Sequence, residues 1–395
     1  MDIPLLDLKA QYSTIKNDIE KVVFKVLESS NYIMGSNVKD FEEEIARYIG
    51  TKYAVGVANG TDALILALTA CGIKEGDEVI TSPFTFFATA EAISQTGATP
   101  VFVDIDELTY CISSKRIEEK ITPRTKAILP VHIFGQACDM DELKEIAQRY
   151  ELYLIEDACQ AIGAEYKRQK VGGIGQVGCF SFFPTKNLGG YGDGGIITTN
   201  DDNIAKIVKA LRVHGSGKAG RDAYEVINSE IQESQTFEQP MITGMEKYYN
   251  YLLGYNSRLD ELQAAILRIK LKHLDTWNTL RKEKAGYYTE NLRDLDVGTP
   301  FRYEYNEHIY HLYILQSGDR DALVSYLGKY GISTGIYYPI PLHLQIAYKN
   351  SGYENNSLKV AEYISKKTFA LPLYPEISRE QQDYVIEKIR SFYGK

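Results

Sequence analysis

Four short segments of this chain place polar and glycine residues directly after apolar, β-rich runs. They are ANGTDAL (58–64), SPFTFFATAEA (82–92), EDACQAIGA (156–164) and SFFPTKNLGGYGDGG (181–195). In an open α/β sheet, ligands bind beyond the carboxyl ends of the strands. These segments are therefore the places where the chain can hold a ligand and carry out chemistry.

The segment NGTDAL can bind a phosphate. It places Gly60 and Thr61 at the start of a helix, where unpaired backbone N–H groups and the positive end of the helix dipole attract anions. The hydroxyl of Thr61 can donate a further hydrogen bond. The alternative is that Asn59, Thr61 or Asp62 only caps the helix.

Asp157 ends the very apolar run LYLIED, so its carboxylate needs a partner that offsets the cost of burial. A protonated pyridine nitrogen would be such a partner, because an aspartate there keeps the ring an effective electron sink. A structural ion pair is the alternative. Gln160 can hydrogen-bond a phenolic oxygen of the same ring, or only its own loop.

Lys186 follows a predicted buried strand and precedes the glycine-rich NLGGYGDGG, which allows close backbone approach. A lysine in such a place can lose its hydration, which lowers its pKa and makes the amine nucleophilic. Most lysines are solvated surface charges, but the context of this one favours chemistry. Together the four segments can hold a phosphate, a pyridinium and an aldehyde carbon.

Hydrophobic patterning predicts the elements that position these segments. Seven β-rich runs alternate with amphipathic helical stretches, and the runs are YAVGVA (53–58), DEVITS (77–82), TPVFVDI (99–105), TKAILPVHIF (125–134), LYLIED (152–157), VGCFSF (177–182) and GGIITTN (194–200). Such alternation predicts an α/β fold in which a mostly parallel, seven-stranded sheet is covered by helices on both faces.

The C-terminal part of the chain is patterned differently. Its elements are a long helical stretch (258–288), the runs HIYHLYILQ (308–316) and GISTGIYYP (331–339), a helix (320–330) and a last amphipathic helix (379–393). We predict a large domain over residues 1–250, including an N-terminal helix, and a smaller α+β domain over residues 251–395 that includes the long linking helix. The polar segment 216–250 is predicted to be a mobile loop or an insertion.

Composition argues against several classes of function. The formal net charge of −9 disfavours a general binder of nucleic acids or membranes, since these usually present a basic surface. The N-terminus is acidic where a signal peptide would be basic, and no apolar run approaches the roughly 20 residues that span a bilayer. We therefore predict a soluble, cytoplasmic protein. The five cysteines contain no CxxC pair, which favours reduced packing thiols over disulfides or a zinc site.

Five motifs, in order along the chain, resemble those of the DegT-type nucleotide-sugar aminotransferases, a branch of the fold-type I, aspartate-aminotransferase-like enzymes. They are NGTDAL, EDACQA, SFFPTKNLGGYGDGG, GYNSRLDELQAAIL (254–267) and IYYPIPLHLQ (336–345), and the resemblance covers essentially the whole chain. It implies pyridoxal 5′-phosphate (PLP) as the cofactor and Lys186 as the catalytic residue, which would carry PLP as an internal aldimine. No metal ion is expected.

The resemblance also implies how the large domain binds PLP. Asp157 would pair with the pyridine nitrogen, and Gln160 would lie near the cofactor's hydroxyl. Gly60, Thr61 and Ser181 would hold the phosphate.

Further contacts would come from an aromatic side chain and from a second subunit. Phe86 would stack on the PLP ring, with core packing as the alternative. Asn256 would contact the phosphate of the cofactor in the neighbouring subunit, which implies a homodimer with shared active sites. Arg258 would pair with an anionic part of the substrate, or would cap a helix or form an ion pair within its own chain. Three residues are expected by position to bind the sugar, with packing or surface roles as the alternative: Phe183, His308 and Tyr310.

The implied reaction is a ping-pong transfer of an amino group from L-glutamate to a UDP- or dTDP-linked keto-sugar, with Lys186 as general base and general acid. NLGGYGDGG resembles the branch that aminates at C3 more than the C4 branch. The alternatives are a 4-keto-sugar aminotransferase, a PLP-dependent sugar dehydratase, which carries histidine in place of Lys186, and a non-catalytic regulatory relative. A dinucleotide-binding protein is disfavoured, because no G-x-G-x-x-G occurs near the N-terminus.

Overall fold

A computed structural model of the chain describes residues 1–228 and 245–394. Its strands are β1 Tyr53–Val57, β2 Glu78–Thr81, β3 Thr99–Phe102, β4 Thr125–Leu129, β5 Tyr153–Asp157, β6 Glu165–Tyr166, β7 Gln169–Lys170, β8 Val177–Ser181, β9 Gly195–Thr199, β10 Asn306–Glu307, β11 Tyr313–Gln316 and β12 Thr368–Leu371. Its α-helices are α1 Leu8–Ser29, α2 Ser36–Ile49, α3 Gly60–Ala70, α4 Ala88–Gln95, α5 Met140–Arg149, α6 Asp202–Leu211, α7 Gly217–Ile227, α8 Glu261–Leu271, α9 Leu274–Leu292, α10 Arg320–Lys329, α11 Lys359–Ile364 and α12 Arg379–Phe392.

The seven β-rich runs predicted from the sequence form one sheet in the order β1-β9-β8-β5-β4-β2-β3. The pairs β2/β3, β2/β4, β4/β5 and β5/β8 are parallel, and β9 runs antiparallel to both of its neighbours, β1 and β8. The prediction of a mostly parallel, seven-stranded sheet is therefore confirmed.

Helices cover both faces of this sheet, because successive residues of each strand point to opposite sides. In β5, Leu154 joins the core that includes residues of α2, α5 and α8, whereas Ile155 joins the core that includes residues of α3, α4 and α6. Burial on both faces explains why these strands read as continuous apolar runs.

The sheet topology brings the chemically equipped segments to one edge. Strands β2, β4, β5 and β8 are parallel, and β1 points the same way as β8 because both are antiparallel to β9. Their carboxyl ends therefore lie along one edge, where β5 ends at Asp157 and β8 ends at Ser181. Helix α3 starts at Gly60, three residues after β1 ends.

A smaller core lies in the C-terminal part. It is built on the antiparallel pair β11/β12 and on residues of α9, α10 and α12. The N-terminal residue Ile3 is fully buried in the same core, and its backbone N–H donates to Gly331 O at 2.8 Å. Helix α8 instead packs against α1 and α2, with Ala264 and Leu267 in the core of the large sheet. The domain division at residue 250 remains a prediction.

The structure differs from the sequence-based element predictions in several places, and the short elements β6, β7, β10 and α11 were not predicted. The helical stretch 258–288 is two helices, α8 and α9, separated by Lys272 and His273. The strand β12 was not predicted. Part of the segment 216–250 is the helix α7, and residues 229–244 of that segment lie outside the described residues.

Among the helices of the described residues, none combines the length and the apolar character that a membrane-spanning helix needs.

Candidate active site

A cavity of about 830 Å³ opens at the carboxyl edge of the sheet. The predicted site residues that line it are Gly60, Thr61, Phe86, Asp157, Gln160, Ser181, Phe183 and Lys186. They come from the four segments that follow β1, β2, β5 and β8. The parallel direction of these strands thus places the residues around a single space.

One wall of the cavity is the N-terminus of α3. Asn59 is its cap, because its side-chain Oδ1 accepts a hydrogen bond from Asp62 N at 2.8 Å. Capping by Asn59 leaves Gly60 and Thr61 in the first turn, whose N–H groups have no partner within the helix. A Cβ at Gly60 would lie 2.6 Å from the Cβ of Ser181, so only glycine allows the helix and the serine to meet this closely. The wall fits an anionic group.

Asp157 is 4% exposed and lies deep in the cavity. One carboxylate oxygen accepts from the Thr89 hydroxyl at 2.8 Å, and the other accepts from Cys159 N at 3.2 Å. Asp157 forms no ion pair with any residue in 1–228 or 245–394. The alternative of a structural ion pair is therefore unsupported among the described residues, and the carboxylate is available to a cationic group bound in the cavity.

Lys186 lies in the tight loop after β8, where its backbone N–H donates to Phe183 O at 2.8 Å. Burial lowers the pKa of its ammonium below the usual value, and the nearby negative charge of Asp157 opposes this shift only in part. A lowered pKa keeps more of the amine neutral near neutral pH. A neutral amine is the nucleophilic form that condenses with a carbonyl group.

The buried amide of Gln160 is held in a fixed orientation. Its Oε1 accepts from Phe134 N at 3.0 Å, and its Nε2 donates to the hydroxyl of Tyr338 at 2.9 Å. An amide nitrogen carries two protons, so a second N–H of Gln160 is left for a group in the cavity. Burial raises the pKa of Tyr338, so this phenol stays protonated.

Two aromatic side chains stand at the cavity with exposed rings. Phe86 is 59% exposed and Phe183 is 49% exposed. Core packing, the alternative for Phe86, is therefore wrong. An exposed ring at a cavity wall is available to cover a flat ligand.

Asn256 and Arg258 line a second, smaller cavity of about 460 Å³. Asn59 and Asp193 line both cavities, so the two spaces adjoin. Arg258 forms no ion pair with another described residue, and it precedes α8 without acting as its cap, which is Asp260.

The structure does not bring His308 and Tyr310 into the main cavity. They are 4% and 8% exposed, and their rings stack with centroids 4.0 Å apart. Burial lowers the pKa of His308 to about 3, and its Nδ1 accepts from the backbone N–H of Tyr310. Within one subunit these two residues pack against each other, which agrees with the packing role given above as the alternative to sugar binding.

Sequence reasoning missed several residues of the cavity wall. Thr89 and Tyr338 are bonded to Asp157 and Gln160, and Arg281, His311 and Leu373 reach the cavity from the C-terminal part. A signal was available for two of them: Thr89 lies in the segment SPFTFFATAEA, where its hydroxyl oxygen is 3.1 Å from that of Thr85, and Tyr338 lies in the motif IYYPIPLHLQ. The others depend on how the smaller core docks against the sheet.

We expect Thr89→Val to weaken the binding of PLP and to lower kcat. Valine keeps the shape of threonine but removes the hydroxyl that donates to Asp157. Hydrogen bonds to charged groups contribute about 1.5–3 kcal/mol, so the loss should be at least roughly 10-fold. The measurements are the dissociation constant of PLP, followed by absorbance, and steady-state kinetics.

Two variants control this experiment. Thr89→Ser keeps the hydroxyl and should retain most of the affinity for PLP. Thr69→Val removes a hydroxyl that donates to Ile65 O at 2.8 Å within α3. Thr69 itself does not line the cavity, so the affinity should be unchanged. Wild-type affinity and kcat in Thr89→Val would show that Asp157 does not depend on this bond.

The donor set of the main cavity fits PLP. The α3 N-terminus and Ser181 offer donors for a phosphate, Asp157 offers an unpaired carboxylate for a pyridinium, and Lys186 offers an amine for an aldehyde. The arrangement can therefore bind a phosphorylated pyridine aldehyde and move protons next to it.

Comparison with known proteins gives relatives along the whole chain. The "Pleiotropic regulatory protein" of Geobacillus stearothermophilus is 46% identical, with 100% of this chain and 99% of the relative covered. A dTDP-3-amino-3,6-dideoxy-α-D-galactopyranose transaminase of Aneurinibacillus thermoaerophilus is 43% identical, with 99% of each chain covered. A UDP-N-acetyl-3-dehydro-α-D-glucosamine 3-aminotransferase of Acidithiobacillus ferrooxidans is 41% identical, with 98% and 97% covered.

Solved structures agree with these sequence matches. DesV of S. venezuelae, in complex with a ketimine intermediate, superposes with a TM-score of 0.90 at 39% identity, with 100% of this chain and 99% of DesV covered. NtdA of Bacillus subtilis, with bound cofactor PMP, gives 0.85 at 31% identity, with 100% and 86% covered. The model of the DegT/DnrJ/EryC1/StrS aminotransferase family matches residues 13–390.

Proposed function

The chain belongs to the DegT/DnrJ/EryC1/StrS aminotransferase family, and we propose that it transfers an amino group from L-glutamate to C3 of a nucleotide-linked keto-sugar. The cofactor is pyridoxal 5′-phosphate, as in the family. The observation that carries the proposal is the meeting of Lys186 and Asp157 in one cavity, with a phosphate-binding wall beside them.

Bound PLP supplies an aldehyde carbon for amines and a ring that accepts electrons. The chain supplies binding, orientation and proton transfer. Gly60, Thr61 and Ser181 would bind the phosphate, and Asp157, fixed by Thr89, would hold the ring nitrogen in its protonated form. Nζ of Lys186 would form the covalent link to the cofactor and, once released, would take up and return the α-proton of the amino donor.

The relatives favour C3 as the position of amination. The proteins that are 43% and 41% identical are named for 3-amino and 3-dehydro sugars, one linked to dTDP and the other to UDP. One relative carries a regulatory name. The presence of both Lys186 and Asp157 favours catalysis over a purely regulatory role, and a lysine at position 186 favours transamination over dehydration.

We also infer that the protein acts as a homodimer with shared active sites. Asn256 is exposed and lines a cavity that adjoins the main one. The surface around it is rich in exposed apolar side chains, among them Leu253 at 99%, Ile33 at 44% and Met34 at 41% exposure. Exposed apolar patches of this kind are typical of interfaces. A cytoplasmic location remains a prediction from the sequence.

The two half-reactions can be tested separately. We expect the PLP-loaded protein to be yellow, L-glutamate to convert its visible band to the near-ultraviolet band of pyridoxamine phosphate, and a 3-keto nucleotide sugar to restore the yellow form. Glutamine and aspartate serve as comparison donors. A protein that binds PLP but ignores all three amino acids would contradict the proposed reaction, and a protein that takes up no PLP would contradict the cofactor.

A further inference from the structure

Arg281 of α9 is a buried cation in the wall of the main cavity. It is 2% exposed and reaches the cavity from the C-terminal part of the chain, together with His311 and Leu373. Burial lowers the pKa of its guanidinium to about 10, so it stays charged at neutral pH. A charge at this depth is costly unless something compensates it.

The chain holds this guanidinium in place without neutralising it. Its Nη1 donates to the backbone carbonyls of Leu373 at 2.9 Å, Tyr310 at 3.3 Å and His311 at 3.4 Å. Its Nε has no hydrogen-bond partner among the described residues. No carboxylate in 1–228 or 245–394 lies within the 4.0 Å of an ion pair with it.

Glu376 is the acidic group that acts on Arg281, but it is a poor counter-ion. It stands beyond ion-pair distance, and it does not line the cavity. Burial raises the pKa of Glu376 above its usual value, which weakens its negative charge further. The unmatched positive charge of Arg281 therefore faces a space that a ligand can enter.

His311 shows which part of the cavity this is. Burial lowers its pKa well below the usual value, and the charges of Lys186 and Arg281 both add to that shift. His311 is therefore neutral. Its backbone carbonyl accepts from Arg281 Nη1, and its Nδ1 lies 3.1 Å from Oδ1 of Asn187, the residue that follows Lys186. An anion bound to Arg281 would thus lie on the Lys186 side of the cavity.

We propose that Arg281 binds the carboxylate of the amino-acid donor and so holds the donor's amine beside Lys186. An α-amino acid carries its carboxylate one carbon away from its amine, which matches a cation placed near the reactive lysine. A guanidinium suits this task because it pairs with a carboxylate through two parallel hydrogen bonds. The inference rests on the proposed function, because it requires an amino acid as donor.

The test uses the PLP-loaded protein and glutarate, a dicarboxylate without an amine, which can bind but cannot react. We expect Arg281→Gln to raise the Kd of glutarate and the KM of glutamate by roughly 10- to 100-fold, as expected for a lost hydrogen bond to a charged group. The KM of the keto-sugar in the second half-reaction should stay near the wild-type value. Calorimetry gives the first quantity, and stopped-flow absorbance gives the others.

Arg320→Gln is the matched control. Its Nη1 also donates to a backbone carbonyl, Ser365 O at 2.7 Å, but its Nε pairs with Asp321 and it does not line the cavity. It should leave the Kd of glutarate unchanged. Equal effects of the two substitutions, or an unchanged Kd in Arg281→Gln, would overturn the inference.

Two further measurements test the inference even if the Arg281→Gln variant does not fold. Arg281→Lys keeps the charge and a donor for the carbonyls but loses the paired geometry, and should bind glutarate with intermediate affinity. On the wild-type protein, glutaramide, in which amides replace both carboxylates, should bind more weakly than glutarate. Equal affinity of the two compounds for the wild-type protein would overturn the inference.

The carboxylate bound by Arg281 could instead belong to the sugar substrate. The binding of UDP-glucuronate, which carries a carboxylate on its sugar, tests this alternative. A Kd for UDP-glucuronate that rises in Arg281→Gln while that of glutarate does not would reject the assignment to the donor. Failure of the proposed function gives a different result: glutamate would leave the wild-type spectrum unchanged, while glutarate binding would still decide the role of Arg281.

Discussion

Replacing Lys186 with alanine is expected to remove the visible absorption of the PLP-loaded protein and to lower kcat by at least ~10²–10⁴-fold, the range that a positioned acid–base group contributes. The loss has two causes, because Nζ of Lys186 is both the proposed attachment point of PLP and the proposed carrier of the donor's α-proton. The measurements are the absorption spectrum and the rate of each half-reaction. Lys186→Arg keeps the charge but not a nucleophilic amine, and should be equally inactive.

A mixture of two variants tests the shared site: Lys186→Ala should be inactive, and Asn256→Ala should lose activity because it removes the proposed contact with the phosphate of the neighbouring subunit's cofactor. In a mixed dimer of Lys186→Ala and Asn256→Ala subunits, one site would contain Lys186 from one chain and Asn256 from the other. We expect mixing to restore part of the activity that neither variant shows alone. Substantial activity in Lys186→Ala by itself would contradict the proposed role of the lysine, and no recovery on mixing would contradict the shared site.

Asp157→Asn is expected to lower kcat by about 10²–10³-fold, similar to the loss of another preorganised electrostatic contact in an active site. The asparagine keeps the size of the side chain, and its Oδ1 can still accept one of the two bonds from Thr89 and Cys159. It lacks the negative charge that would keep the ring nitrogen protonated. The measurements are kcat and the pH dependence of the bound cofactor's absorption, which should differ from that of the wild-type protein.

Asp201→Asn is the matched control for this substitution. Asp201 also follows a strand, β9, and accepts two backbone hydrogen bonds, from Asn203 N at 2.7 Å and Ile204 N at 3.0 Å, but it caps α6 outside the main cavity. Asparagine is an equally good cap, so activity should be retained. A near-wild-type kcat in Asp157→Asn would contradict the proposed contact between Asp157 and the ring nitrogen.

The sheet and half of the site could be predicted from the sequence because they depend on local patterns. Strands buried on both faces are continuous apolar runs, and parallel strands bring the segments that follow them to one edge. These two rules alone predict that Gly60, Asp157 and Lys186 lie at the same edge of the sheet, and no knowledge of other tertiary contacts is needed. The roles of these residues in binding PLP remain predictions that the variants above test.

The other half of the site could not be predicted, since it depends on tertiary packing. Arg281 belongs to a helix whose sequence does not show which of its polar residues turns towards the cavity. His308 and Tyr310 were expected there, yet their rings stack on each other. The helix α7 was missed because its buried face consists of small residues, Gly220 and Ala223, rather than large apolar ones.

The most direct test of the account is the transfer of label from ¹⁵N-glutamate. The purified protein, loaded with PLP, would be incubated with ¹⁵N-L-glutamate and either a UDP- or a dTDP-linked 3-keto-sugar, and the product examined by NMR. The account predicts that ¹⁵N appears as an amine on C3 of the sugar. Two results would contradict the account. In the first, ¹⁵N stays on glutamate. In the second, the protein aminates a 4-keto-sugar, placing ¹⁵N on another carbon, but does not aminate the 3-keto-sugar.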